Sequence, residues 1–168
     1  MKKIYFYLGK IGSGKSHVAK AFAEKLSRAD IPHLFIEVSD LVKQTASEYH
    51  GPNPTREQLQ ALKEKLKANP NWLLDAILNL ISRSNDDIII ISGLREKWIL
   101  EQIEKKYGTA RIAIVEADEE LRMKRRQLSP EEFKTAEERD KKIGVDELID
   151  SVRHRADVVP NNFERDSN

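Results

Sequence analysis

Short apolar runs rich in β-branched residues alternate along the chain with longer segments whose apolar residues recur at helical spacing. The first pattern is typical of buried strands, and the second of helices that pack one face against a sheet. We predict strands at 3–8, 33–38, 88–92, 111–116 and 157–159. We predict helices at 15–28, 72–83, 96–107 and 146–156. This alternation predicts an α/β fold with a five-stranded parallel sheet flanked by helices.

Three of these elements carry specific expectations about burial. The run Ile88–Ile91 is continuous and β-branched, which predicts a central strand. The helix at 72–83 is apolar nearly all round and is expected to be buried. In the helix at 96–107, Trp98, Ile99 and Ile103 are expected on the inner face.

Two stretches do not fit a plain layered core. The first, residues 39–70, contains a Gly-Pro-Asn-Pro break at 51–54 and a helix-start signal at 55–58, which together predict a helical insertion after the second strand. The charged segment, residues 118–142, has 16 charged residues among 25 and few large apolar ones. We expect it to form short helices with little to anchor them, as in a mobile lid. The alternative is a solvated helical hairpin with no function.

Composition limits the class of protein. At 168 residues the chain is long enough for one domain, and its net charge of +1 gives no electrostatic case for nucleic acid or membrane partners. No segment approaches the ~20 apolar residues that span a bilayer. The absence of cysteine excludes disulfides, thiol catalysis and Cys-based metal sites, and fits a cytoplasmic protein. The four histidines show no metal-ligand spacing.

Residues 9–16 read Gly-Lys-Ile-Gly-Ser-Gly-Lys-Ser, a complete match to the phosphate-binding pattern G-x-x-x-x-G-K-[ST]. The loop lies between a predicted strand and a predicted helix, which is the context that this motif requires. Its glycines let backbone N–H groups point at one anion, and the helix adds its positive dipole end. Six loop residues are expected to bind the phosphates of ATP, with Lys15 on the β- and γ-phosphates and Ser16 on Mg²⁺: Gly9, Gly12, Ser13, Gly14, Lys15 and Ser16.

Arginines in the charged segment are candidates for closure over ATP. Arg122, Arg125 and Arg126 share one face of a helix, and Arg139 follows later in the segment. Positive charge around a transferring phosphoryl group stabilises its transition state. We therefore expect Arg122, Arg126 and Arg139 to contact the bound nucleotide. The alternative is that these arginines pair with the acidic residues at 118–120.

The ends of two further strands carry candidates for binding a phosphate acceptor. Arg95 follows the third strand, and Asp40 and Lys43 follow the second. Ligands of open α/β sheets lie at the carboxyl ends of the strands, so Arg95 is expected to hold an acceptor phosphate. Asp40 is a candidate acceptor contact and a candidate cap of the following helix, and the two roles are compatible.

In order along the chain these segments resemble the P-loop nucleoside and nucleotide kinases, including adenylate kinase, dephospho-CoA kinase and phage-type deoxynucleoside monophosphate kinase. Ser92-Gly93-Leu94-Arg95 is similar to the Asp-Gly-x-Arg signature of the family, whose arginine binds the acceptor phosphate. The resemblance implies an acceptor-side helical insertion at 39–83, a lid at 118–142 and a core made of the remaining residues. It also places Asn161 in an adenine-side loop and adds Arg139 to the acceptor contacts.

Two departures from the family pattern matter. Ser92 stands where the family usually has an aspartate that helps to hold hydrated Mg²⁺, and Asp40 or Glu37 is left to contribute instead. The chain shows almost no room for a closing helix after its last strand, so either the base-binding side is weak or a second copy of the chain completes it.

Three functions remain open. The first is transfer of the γ-phosphate of Mg-ATP to a nucleoside monophosphate, which needs positive charge and alignment but no general base. The second is transfer to a hydroxyl, as in dephospho-CoA kinase, with Asp40 as the base. The third is nucleotide binding without transfer. The size of the insertion favours the first.

Overall fold

A computed structural model describes the chain at residues 1–51, 53, 55, 58, 61, 62, 66 and 68–162, with only the backbone of residues 46, 49 and 50. Five parallel strands form one sheet: β1 Lys3–Leu8, β2 His33–Glu37, β3 Ile88–Ser92, β4 Arg111–Glu116 and β5 Asp157–Pro160. Their order across the sheet is β2-β3-β1-β4-β5. The predicted parallel sheet is confirmed, and it puts the ends of β1, β2 and β3 side by side.

Seven α-helices lie in the described part of the chain: α1 Lys15–Arg28, α2 Val38–His50, α3 Trp72–Arg83, α4 Lys97–Tyr107, α5 Glu119–Arg126, α6 Pro130–Ile143 and α7 Val145–Val152. The predicted helices 15–28 and 72–83 coincide with α1 and α3. The predicted helix 146–156 ends earlier than expected, because a 3₁₀ turn over Arg153–Arg155 leads into β5. None of the helices among the described residues is long and apolar enough to cross a membrane.

Helices cover both faces of the sheet and give three layers. Apolar side chains of α1 pack on one face around Tyr7 and Ile90. The other face buries Phe6 and Ile91 under apolar residues of α3, α4 and α7. Side chains that alternate along each strand therefore belong to two separate clusters of the core, one on each face of the sheet.

Two expectations about burial are wrong in detail. Helix α3 is amphipathic rather than buried all round, because Ile77 and Ile81 are buried whereas Leu80 is 36% exposed. In α4, Ile99 and Ile103 are buried as predicted, but Trp98 is 36% exposed. Helical spacing explains both results, since the exposed residues lie at the edge of the stripe that faces the sheet.

The insertion contains α2 and α3. Among the residues described between these two helices, Leu62 is helical and buried. Thr55 and Gln58, the first and last residues of the predicted helix-start signal, form the two hydrogen bonds of a capping box. The Thr55 N–H donates to Gln58 Oε1 at 2.8 Å, and the Gln58 N–H donates to Thr55 Oγ1 at 3.2 Å. Positions 56 and 57 of that signal lie outside the described residues.

The charged segment forms α5 and α6, and it is better anchored than its composition suggests. Helix α6 begins at a capping box between Ser129 and Glu132. Phe133 and Ala136 of α6 are buried against Ile11 of the phosphate loop. A small apolar cluster therefore fixes α6 to the loop, and the expectation of little anchorage is wrong for this helix.

Candidate functional site

The phosphate loop connects β1 to α1 at the carboxyl edge of the sheet. Gly12 and Gly14 have φ angles of +75° and +86°, a left-handed conformation that glycine adopts without strain. Gly14 is the N-cap of α1, and the first turn of that helix carries no acidic residue. The free N–H groups and the positive end of the α1 dipole therefore face the loop, as an anion site requires.

Neighbouring elements approach the loop so closely that its glycines have no room for a side chain. A Cβ at Gly12 would lie 2.5 Å from the carbonyl oxygen of Arg122, on α5. A Cβ at Gly14 would collide with the amide nitrogen of Asn161, after β5. The loop is thus held between the charged segment and the chain that follows β5.

Lys15 is the charged centre of the site. Its ammonium group makes one long hydrogen bond, 3.5 Å, to the carbonyl oxygen of Lys10. Burial lowers the pKa of Lys15 below its usual range, and the nearby guanidinium groups of Arg95 and Arg126 lower it further. The carboxylates of Asp140 and Glu37 act on this pKa in the opposite direction. Two arginines and two carboxylates from other elements therefore lie within electrostatic reach of Lys15.

A row of polar side chains runs from the loop across the strand ends. The Ser92 hydroxyl, at the end of β3, donates to Ser16 Oγ at 3.3 Å. Glu37 lies opposite Ser92 in the register of β2 and β3. One carboxylate oxygen of Glu37, Oε1, accepts a hydrogen bond from Ser39 at 3.3 Å. The other, Oε2, is buried and has no hydrogen-bond partner among the described residues.

Arg95 joins the end of β3 to the charged segment. Its Nη1 donates to Oδ1 of Asp140 at 3.1 Å, and Asp140 is buried while Arg95 is partly exposed. Arg95 also lies within electrostatic reach of Lys15. In this structure the guanidinium of Arg95 is already bound to the carboxylate of Asp140.

Arg122 binds protein groups rather than facing open space. It is 6% exposed, and its Nη1 donates to the carbonyl oxygen of Ile11 at 3.2 Å and to Glu137 Oε1 at 2.7 Å. Its guanidinium also lies 5.2 Å from the centre of the Phe133 ring. These contacts hold α5, α6 and the phosphate loop together. None of the acidic residues at 118–120 is a partner in them.

Arg125 makes a second connection between the same parts of the molecule. Its guanidinium donates to the carbonyl oxygens of Gly12, Ser13 and Asn161, the last at 2.6 Å. The Asn161 side chain in turn donates to the carbonyl oxygen of Ser13 at 2.8 Å. Asn161 therefore contacts the phosphate loop directly, in the region where the resemblance places an adenine-side loop.

The remaining predicted residues are exposed. Arg126 lies within electrostatic reach of Lys15, whereas Arg139 is on the exposed side of α6. Asp40 and Lys43 form an ion pair of 3.2 Å on α2, with the Asp40 side chain 62% exposed. The prediction that Asp40 caps a helix is wrong, because α2 begins one turn earlier with Glu37 at the N-cap.

A cavity of about 400 Å³ opens beside the phosphate loop. Its wall is formed by the start of the loop, the end of β4, Arg122 and the chain after β5. Asn162 lies in this wall, and its side-chain oxygen accepts the N–H of Asp118 at 2.9 Å. The cavity adjoins the loop at Gly9, Lys10 and Ser13.

Comparison with known proteins agrees with this geometry. Residues 8–154 match a family described as an AAA domain. The chain belongs to this family. Two solved structures share the fold: TT1252 from Thermus thermophilus, 21% identical with a TM-score of 0.59 over 97% of this chain and 90% of that one, and a gluconokinase from Sinorhizobium meliloti, 17% identical with a TM-score of 0.53 over 95% and 82%. No curated protein matches significantly.

The family match and the shared fold support the predicted membership of the P-loop nucleoside and nucleotide kinases. At these identities the two solved structures show the fold alone. The structure also reveals partners that the sequence analysis did not select, namely Glu137 and Asp140. Arg125 was a candidate because it lies on the same helix face as Arg122, and in the structure it contacts carbonyl oxygens of the loop. No sequence signal points to Glu137 and Asp140, because their partners, Arg122 and Arg95, are distant from them in the chain.

Proposed function

We propose that this chain is an ATP-dependent phosphotransferase that moves the γ-phosphate of Mg-ATP to a nucleoside monophosphate. One observation carries the proposal: Lys15, Arg95 and Arg126 bring positive charge from the phosphate loop, the end of β3 and α5 to one place. The pKa of Lys15 is lowered mainly by burial and then by repulsion from the guanidinium groups of Arg95 and Arg126. A polyanionic ligand is the natural partner of such a site.

Two phosphate groups fit the arrangement better than one. The phosphate loop and Lys15 suit the donor, because the loop presents N–H groups and a helix N-terminus. Arg95 lies at the end of the neighbouring strand and suits the acceptor phosphate. Asp140 now holds the Arg95 guanidinium at 3.1 Å, so an incoming phosphate would take the place of that carboxylate.

The site residues fit Mg-ATP. The buried hydroxyl of Ser13 has no partner among the described residues, and Gly12 and Gly14 adopt the left-handed backbone conformation that lets the loop curl around an anion. We assign Ser16 to Mg²⁺, which, when bound, neutralises charge that develops on the transferring phosphoryl group. Arg126, Arg139 and Asn161 remain proposed contacts of the donor, and Asp40, Lys43 and Arg139 of the acceptor.

We assign Arg122 and Arg125 to positioning rather than to direct phosphate contact, because both bind carbonyl oxygens of the loop. In this proposal residues 118–142 form a lid over the donor and residues 39–83 form the acceptor side. The lid would exclude water, which otherwise competes with the acceptor for the phosphoryl group.

A hydroxyl acceptor with Asp40 as the base receives less support. The Asp40 side chain is 62% exposed and paired with Lys43, whereas a base must reach the acceptor in a site closed to water. An acceptor phosphate is already anionic and needs only alignment and positive charge.

The proposal is tested by ADP production from Mg-ATP against a panel of ribo- and deoxynucleoside monophosphates, dephospho-CoA and gluconate. Gluconate is included because a gluconokinase shares the fold. Stimulation by one monophosphate, absent in Lys15→Ala, is the expected result. Stimulation only by dephospho-CoA or gluconate would overturn the monophosphate assignment, and a lack of ATP binding would overturn the whole proposal.

A further inference from the structure

We infer that Glu37 supplies the carboxylate that this site lacks at Ser92, and that it positions the water shell of the Mg²⁺ bound with ATP. The inference rests on the proposed function. It concerns a residue that lies on a different strand from the aspartate of the family signature. Four observations lead to it: the register of the strands, an unpaired oxygen, the packing of Gly93 and the charge of the site.

The register of the sheet places Glu37 one strand beyond Ser92, the residue that contacts the predicted metal ligand Ser16. Ser92 donates to Ser16 Oγ at 3.3 Å, and Glu37 is the partner of Ser92 in the pairing of β2 with β3. The strand end beside Ser16, that of β3, therefore carries the neutral hydroxyl of Ser92. The next strand across the sheet, β2, ends with the carboxylate of Glu37. A hydroxyl cannot supply the negative charge that an aspartate would bring.

The unpaired oxygen of Glu37 needs a hydrogen-bond donor. Its Oε2 is buried and has no partner among the described residues, whereas Oε1 accepts from Ser39. A buried acceptor without a donor costs about 1–3 kcal/mol. Native proteins rarely leave such a group unsatisfied without a reason, and an ordered water on a bound ion is one.

Gly93 holds the Glu37 carboxylate in place. It has a φ angle of +86°, and a Cβ there would lie 2.6 Å from Glu37 Oε1. The backbone at the end of β3 thus passes directly against the carboxylate. Because Ser39 and Gly93 restrain one oxygen, the direction of the other is restricted too.

The charge of the site favours a cation near Glu37. The carboxylate of Glu37 lies within electrostatic reach of Lys15, whose pKa it raises against the larger effect of burial. Mg²⁺ keeps several of its waters when bound to nucleotide phosphates, and these waters donate to carboxylates around it. Loss of such an outer-shell partner typically weakens metal affinity about 10- to 100-fold.

The test measures metal binding without turnover. Mn²⁺ replaces Mg²⁺, and electron paramagnetic resonance follows its binding in the presence of a non-hydrolysable ATP analogue. Glu37→Gln should weaken Mn²⁺ binding about 10- to 100-fold, while the affinity for the analogue in EDTA stays the same. Ser92→Asp in the Glu37→Gln background should restore Mn²⁺ affinity, because it returns a carboxylate to the neighbouring strand. Glu24→Gln, the same change on the exposed side of α1, is the control and should have no effect.

Each result decides the inference. Unchanged Mn²⁺ affinity in Glu37→Gln would overturn it, and loss of turnover alone would indicate that Glu37 acts on the acceptor. If Glu37→Gln does not fold, Ser92→Asp alone still tests the idea. If Glu37 already positions the water shell of the metal, the carboxylate added by Ser92→Asp should improve Mn²⁺ affinity little. A gain in Mn²⁺ affinity above tenfold would contradict the inference. If the wild-type chain binds no nucleotide, the proposed function itself fails.

Discussion

Arg95 Nη1 donates to Oδ1 of Asp140 at 3.1 Å, which joins the end of β3 to the far end of the charged segment. The two residues are 45 positions apart in the chain. Asp140 is buried, so this carboxylate depends on Arg95 for compensation of its charge. In the proposed function, an acceptor phosphate would compete with Asp140 for the guanidinium of Arg95, which would couple acceptor binding to the position of α6.

The coupling predicts opposite effects of the two partners. Arg95→Ala should lower kcat/KM for the acceptor about 10- to 100-fold and leave ATP affinity nearly intact, because one charged hydrogen bond is lost. Asp140→Asn should tighten binding of inorganic phosphate, because the competing carboxylate is removed. Calorimetric titration with ATP and with phosphate checks both. Loss of ATP binding in Arg95→Ala would refute its acceptor role.

Two lysines of the phosphate loop should differ sharply. Lys15 lies among the converging charges, whereas the Lys10 side chain pairs with Asp146 of α7 at 3.5 Å. Lys15→Ala should lower kcat at least about 100-fold, the usual effect of removing one preorganised charge-stabilising group. Lys10→Ala should retain most activity. Initial rates of ADP formation distinguish them, and equal losses would contradict the assignment of Lys15.

The lowered pKa of Lys15 predicts a dependence of stability on pH. Between this pKa and the ordinary value of 10.5 the unfolded chain binds more protons than the folded one, so stability rises with pH across that window. Below the window the buried charge destabilises the ligand-free protein. Lys15→Met should therefore raise Tm at pH 7 more than at pH 10. Thermal unfolding checks this, with Lys10→Met as the control, and an equal shift at both pH values would argue against a buried charge.

Glu137 and Glu138 form a matched pair for testing the attachment of α6. Glu137 accepts from buried Arg122 at 2.7 Å, whereas Glu138 is exposed. Glu137→Gln should lower the free energy of unfolding by about 1–3 kcal/mol, because it weakens the partner of a buried guanidinium. Glu138→Gln should change it by less than about 0.5 kcal/mol. Urea denaturation measures both, and indistinguishable values would show that the Arg122 contact contributes little.

The sheet and its loop were predictable because local patterns determine them. The run Ile88–Ile91 had to be a central strand, and the phosphate loop had to follow a strand and open a helix. The same reasoning placed Arg95 at the carboxyl edge of the sheet, where it lies. It failed at Trp98, because the direction of one side chain at the edge of a helical stripe depends on packing.

The arrangement of the charged segment could not be predicted from its composition. Its 16 charged residues suggested a solvated hairpin, yet Phe133 and Arg122 fix it to the phosphate loop. Which arginine meets which carboxylate depends on how α5 and α6 lie on the core. That placement arises from contacts between residues far apart in the chain, and no local pattern encodes it.

The most direct test of phosphoryl transfer follows the γ-phosphate itself. The chain is incubated with Mg-ATP labelled in the γ-phosphate and with each nucleoside monophosphate in turn, and the products are separated. We predict that the label appears in a nucleoside diphosphate made from one of these acceptors, and that Lys15→Ala abolishes it. Label found only in inorganic phosphate, or retained in ATP with every acceptor, would contradict the proposed transfer.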